Sequence, residues 1–185
     1  MMAMNTYSRC LGATALSLLV GTAAFAQTPA TDPNPAPAKY GDKSQALLKH
    51  GDKSFVEDAA KSAMEEIAIS RVALEKASNP QVKEFAQMMV SDHTGASSEL
   101  SVLASSKGVM LPKQPNVEKW VKKTAKGFDE EYMEKMVDDH QEAVKLFEKK
   151  TKNADDLEVL AFATKTLPKL QEHLAKAKEI KKMVK

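Results

Sequence analysis

The stretch "VKEFAQMMVSDHTGASSELSVL", Val82 to Leu103, decides how the chain folds. Val82, Ala86, Met89, Ala96, Leu100 and Leu103 recur at steps of three and four with one gap of seven, which His93 divides into four and three. A seam of this period belongs to a helix that buries one face. An ionisable ring in the middle of that face must find a partner.

Start and stop signals around the seam set its limits. Asn79 is a helix cap and Pro80 suits a first helical position, so this helix is expected over 80–107, stopping at Gly108. Upstream, Ser54 and Glu57 have capping-box spacing, and a helix is expected over 52–78. Downstream, helices are expected over 129–152 and 155–182, with Pro168 removing one backbone bond and kinking the last. The connection from Gly108 to Phe128 is long and carries a short amphipathic helix around 117–126. No strand pattern is present. The two short connections make antiparallel pairs, and the long one allows the second and third long helices to run parallel. The expected fold is therefore all-α: a ferritin-like antiparallel four-helix bundle occupying 52–182, with a long connection containing a short helix.

The N-terminus reads as an export signal over 1–26. Arg9 is its positive start, Leu11 to Phe25 its apolar run and Ala24-Phe25-Ala26 its cleavage pattern. Residues 27–51 form a proline-rich flexible linker. Once a signal of this length is removed, no transmembrane segment is expected, and the protein is expected in the bacterial periplasm. Cys10 would leave with the signal, which excludes disulfides, Cys-based zinc, iron–sulfur clusters and c-type haem. Without Arg9, 26 basic residues face 25 acidic ones, since the whole chain has 27 and 25, and this balance gives no reason to expect nucleic acid. The C-terminal lysines are dipole complements of the last helix.

Each of the last three seams holds one histidine: His93, His140 between Met136 and Ala143, and His173 between Leu170 and Ala177. His50 falls in the linker. The first helix contributes Glu66, alone in a stripe of Ala59, Ala63, Ser70, Ala73 and Ala77, while Ser62 and Glu65 fall on its polar side. "FAQMMVSDH" (85–93) and "YMEKMVDDH" (132–140) form an internal repeat, whose copies would face each other if their helices are parallel. Glu66 and His93 are expected at one height, but His173 roughly 7 Å below His140 at about 1.5 Å per residue.

Unpaired buried imidazole or carboxylate is costly, so the cluster is either a hydrogen-bonded network or a metal site. The candidate ligands are Glu66, His93, His140 and His173. Met89 and Met136, soft donors more often found as core filler, and Asp92 and Asp139, better placed behind the ligands, are secondary candidates. The donor set suits one transition metal: zinc, copper, iron, manganese or nickel.

Phe55, Glu66, Asp92-His93, Gly108 with Leu111-Pro112, Phe128-Asp129, Tyr132, His140, Leu167-Pro168 and His173 together resemble the bacterial family known as domain of unknown function four-one-four-two, often labelled outer membrane protein. The resemblance spans about 52–180 and implies a ferritin-like bundle and export, with no established activity. Di-iron ferritins carry a carboxylate one turn before each histidine. Val90, Val137 and Leu170 occupy those positions here, so ferroxidase chemistry is not expected. The barrel strands of an outer-membrane protein are missing from the pattern as well.

Two functional readings follow. In the first, the exported bundle binds a transition metal in storage, buffering or envelope stress protection. In the second, it is a non-catalytic structural or interaction module of the envelope with a buried polar network. No nucleophile motif or phosphate loop supports an enzyme. The envelope partner stays unspecified, and a homo-oligomer is one assembly the sequence allows.

Overall fold

The computed structural model describes residues 47–184. The expected signal, 1–26, and most of the expected linker lie outside the described residues. Five helices follow in order: α1 (His50–Lys76), α2 (Pro80–Ser106), α3 (Glu118–Val121), α4 (Phe128–Asn153) and α5 (Leu157–Lys181). No strand occurs among the described residues. The molecule is a ferritin-like four-helix bundle with a crossover connection, α3 being a single turn within that connection.

Polar ties at the two ends of the bundle fix its topology. Asp129, in the first turn of α4, accepts from the backbone N–H groups of Ser78 and Asn79 (3.1 and 2.8 Å) and from the Ser78 hydroxyl, all in the α1–α2 turn. At the other end, Lys107 after α2 reaches Asp156 before α5 at 2.8 Å. Thus α1 is antiparallel to α4, and α2 to α5. With α1 packed on α2 and α4, and α5 on α4 and α2, the helices α2 and α4 run parallel across the diagonal. The two repeat copies therefore face each other, the arrangement expected if their helices are parallel.

Local chemistry explains both limits of α2 and the start of α5. The Asn79 side chain accepts from Gln81 N–H at 2.8 Å, and Asp156 caps α5 by accepting from Glu158 and Val159. Gly108 has φ +64°, a conformation open to glycine at little cost. It lets the N–H of buried Val109 reach back to the Ala104 carbonyl at 2.8 Å.

Two local expectations need correction. The Ser54/Glu57 capping box does not start α1, which begins at His50, so His50 is exposed helix rather than linker. The reason is Asp52. Its buried carboxylate accepts from Lys150 Nζ (2.8 Å) and from the N–H groups of Asp155 (2.9 Å) and Asp156 (2.8 Å), pinning the first turn of α1 to the α4–α5 turn. The short helix is not 117–126 but four residues, because only Trp120 in it is buried, edge-on to Phe128 with ring centroids 5.9 Å apart. Pro168 lies inside α5, as expected, and the helical span is continuous through it.

The core divides along the bundle axis. One apolar cluster contains Ile69, Phe85, Met89, Tyr132 and Met136; the other contains Phe55, Leu100, Phe147, Phe162 and Leu170. Each buried side chain of this size stabilises the fold by roughly 1.5–3 kcal/mol. Between the two clusters lies a polar layer.

Candidate metal centre

That layer contains Glu66 from α1, His93 from α2, His140 from α4 and His173 from α5, each at most 6% exposed. The imidazole centroids form a near-equilateral triangle, 5.6 Å from His93 to His140 and 5.4 Å from His173 to each of the others. The expected drop of His173 below His140 is absent, for a steric reason. A helical Cβ leans toward its own N-terminus, so His140 leans away from the α4–α5 turn and His173 leans back toward it. The two side chains close an offset measured along the backbone.

Each ring's proton placement follows from its neighbours. His140 Nδ1 lies 2.9 Å from the Met136 carbonyl, which can only accept; Nδ1 therefore carries a hydrogen, and in the uncharged ring Nε2 holds the bare lone pair. His173 Nε2 lies 2.9 Å from Asp92 Oδ2, leaving its Nδ1 bare in the same way. His93 Nε2 is 3.1 Å from Glu66 Oε2 without the alignment of a hydrogen bond, and His140 Nε2 is 3.8 Å from the same oxygen. The other carboxylate oxygen, Oε1, accepts from Ser62 Oγ at 3.1 Å. Four buried atoms, Glu66 Oε2, His93 Nε2, His140 Nε2 and His173 Nδ1, lack a hydrogen-bond partner.

Electrostatics follow from dryness. Burial, reinforced by neighbouring His140, pushes His93 down to about 3. Burial likewise pushes His173 down to about 4, although the bond to Asp92 opposes it. Burial raises Glu66, against the pull of His140 and Ser62. At neutral pH His93 and His173 are therefore uncharged donors of electron pairs.

One donor nitrogen from each histidine lies within 4.8 Å of the others. Some point is then no more than about 2.8 Å from all three, and metal–imidazole bonds are about 2.0–2.1 Å, so each ring would move inward by about 0.7 Å. The outer nitrogens of His140 and His173 are held by a carbonyl and a carboxylate, the usual support behind metal-bound imidazole.

The secondary candidates divide. Asp92 stands behind His173. Asp139 is paired with Lys135 (2.9 Å) instead of a histidine. Met89 and Met136, fully buried, pack in the apolar cluster with Phe85 and Tyr132. Sequence reasoning placed Ser62 on the polar side of α1, yet it bonds Glu66; its spacing of four residues before Glu66 was the available signal. A cavity of about 320 Å³ opens beside the layer, lined by Glu66, His93 and His173 at one end and by Leu100, Phe147 and Phe162 at the other.

The family model for Domain of unknown function (DUF4142) matches residues 37–180, and the chain belongs to that family. No curated protein matches it. Among solved structures, CopM in the Cu(I)-bound form is similar with a TM-score of 0.60 at 20% identity, over 69% of this chain and 93% of CopM. CopM in the Cu(II)-bound form gives 0.55 at 19%, over 71% and 95%. A DUF305 fragment from Deinococcus radiodurans gives 0.62 at 12%, over 74% and 99%. At these identities the likeness is one of fold.

Proposed function

We propose that this member of the family is an exported protein that binds one transition-metal ion through Glu66, His93, His140 and His173, in storage, buffering or envelope stress protection. The observation that carries the reading is the set of bare lone pairs. His140 and His173 have their outer N–H groups held by Met136 and Asp92, so in uncharged rings their inner nitrogens can only accept, and so can an ionised Glu66. Buried acceptors crowded together repel one another until a Lewis acid or a proton sits among them. Zinc, copper, iron, manganese and nickel all suit such donors. Copper comes first because the fold is shared with CopM, whose structures hold Cu(I), Cu(II) and Ag. The export half rests on the signal-like residues 1–26. No helix among the described residues is long and apolar enough to cross a membrane.

The second reading is a metal-free polar network that sets helix register in a structural or interaction module. The 3.1 Å separation of Glu66 Oε2 and His93 Nε2 favours it, since a protonated Glu66 placed there would need only a small rotation to donate. Metal analysis of protein purified without a His tag, alongside a His93→Ala, His140→Ala double variant, separates the two. The metal reading expects one ion per wild-type chain and none in the variant. A wild type that takes up no metal, with a variant that simply melts lower, leaves the network.

A further inference from the structure

The cavity beside the histidine layer is larger than an ion requires. A water occupies about 30 Å³ in the liquid, and an apolar cavity of about 150 Å³ accepts benzene, whereas this space measures about 320 Å³. Ligand pockets begin at about that size. Ala59, Ala63, Ala96 and Ala143 hold it open, at positions where a bundle core otherwise interdigitates larger side chains.

Its two ends differ in chemistry. Toward the layer, Glu66 Oε2 and His173 Nδ1 are buried atoms without partners. Ser97, one turn beyond His93, lines the same space with a buried hydroxyl that also has none. Away from the layer Phe147 and Phe162, with centroids 6.0 Å apart, and Leu100 form an apolar wall, while Asp58, Glu142, Thr166 and Lys169 also line the space. A molecule that fills this space must carry a polar hydrogen or an electron pair at one edge and a hydrophobic ring at the other.

From this juxtaposition we propose that the cavity is a binding site for a small N–H heteroaromatic molecule of the azole class, its nitrogens toward the histidine layer and its ring against Leu100 and Phe147. In the metal-free protein the azole N–H donates to one of the bare acceptors. With an ion in the layer, the lone pair of the other ring nitrogen completes the coordination sphere. That second half rests on the metal reading; the first does not. The site is then an open centre that receives an external ligand, unlike a closed storage cage.

The probe is 4-phenylimidazole, titrated into two forms of the full chain. In metal-free protein, saturable NMR shifts are expected at Leu100, Phe147 and Phe162. Ala143→Leu and Ala96→Leu, which fill the space from different helices, each weaken binding at least ten-fold while keeping or raising the melting temperature. In protein loaded with Cu(II), the visible absorption band moves on titration in the wild type and stays in both filled variants, with equal copper per chain in all three. No saturable shift in the metal-free wild type, or equal affinity in wild type and both filled variants, overturns the proposal. If the protein takes up no copper, the metal reading and the coordination half fail together, and the metal-free titration still decides whether the cavity is a ligand site.

Discussion

Asp52 and Glu66 lie on the same helix, two buried carboxylates with opposite fates. Asp52 sits at the bundle's end, 0% exposed, where Lys150 and two backbone N–H groups occupy its oxygens. Burial alone would raise Asp52, but Lys150 and those N–H groups outweigh it and hold the carboxyl below its ordinary range. Glu66 sits at mid-height, 1% exposed, with one serine hydroxyl on Oε1 and nothing on Oε2, and burial drives it up. The same functional group is satisfied in one place and left wanting in the other. A buried charge with all its partners serves the fold; one facing other unsatisfied donors of electron pairs marks a place for something not yet present.

The amide variants break this comparison most strongly. Asp52→Asn leaves the Lys150 ammonium, itself 7% exposed, without a counter-charge. Removing one member of a buried pair costs about 3–5 kcal/mol, so chemical denaturation is expected to show a loss of that size, with metal affinity unchanged. Glu66→Gln is expected to do the reverse: little change in metal-free stability and a fall in metal affinity by isothermal titration. Equal destabilisation by the two variants would erase the distinction between fold and site.

Acid sharpens the contrast next. His93 and His173 titrate near 3 and 4 in the folded chain but near 6.5 when unfolded. The unfolded state therefore binds more protons below about 6.5, and the stability these histidines lend above that value is lost as pH falls. Glu66, raised in the fold, has the opposite sign and offsets part of the loss. At about 1.4 kcal/mol per proton the two histidines together approach a fall of about 2.7 kcal/mol per pH unit between pH 6 and 5, and one glutamate offsets no more than half of it. The lowered carboxyl of Asp52 keeps its contribution through that window, because its loss begins only as pH drops below the ordinary aspartate value of 3.8. Melting of metal-free protein is thus expected to drop from pH 7 to pH 5, and more steeply in Glu66→Gln. A flat profile contradicts the neutral-histidine layer.

The layer was more legible in the sequence than the tie that Asp52 makes to the α4–α5 turn. His93, His140 and His173 stand in seams of helical period, and period alone fixes which face a side chain takes. The repeat 85–93 and 132–140 did not by itself carry the parallel pairing of α2 and α4: the long connection allowed it, and only the ties of Asp129 and Lys107 at the bundle's ends fix it. Asp52 carried no such mark. Its importance lies in Lys150, Asp155 and Asp156, about a hundred residues away, and nothing local distinguishes it from the other acids at helix starts. The level of His173 was misjudged because counting residues along the axis omits the lean of helical side chains, opposite in antiparallel neighbours. Ser62 was misassigned because a face boundary drawn at 100° steps is too coarse for a short hydroxyl that needs only to reach the next turn.

Asp92 tests whether the support behind the ligands matters as much as their number. Its side chain is 30% exposed, so its loss should cost the fold little. Its bond to His173 Nε2, however, orients the ring and keeps Nδ1 bare. Asp92→Ala is expected to lower metal affinity by about 10–100-fold while melting stays within a few degrees. An unchanged affinity would show that the ring of His173 needs no support from Asp92 to serve the site.

The smallest effect is expected one turn from Glu66, where Ser70 Oγ and Tyr132 Oη share a buried hydrogen bond of 2.8 Å. The pair is neutral and complete. Burial pushes the phenol up, with nearby Glu66 adding to the shift, so it carries no charge near neutrality. Ser70→Ala strands the phenol hydroxyl and should cost about 1 kcal/mol. Tyr132→Phe should cost less, because the freed serine hydroxyl can turn to the carbonyl of its own preceding turn. In the double variant the two losses should not add, since no polar group is left behind. Neither substitution should move metal affinity. If Tyr132→Phe weakened metal binding as much as Asp92→Ala does, the polar layer would extend a full turn beyond Glu66, and satisfaction of hydrogen bonds would no longer separate the groups that hold the fold from those that form the site.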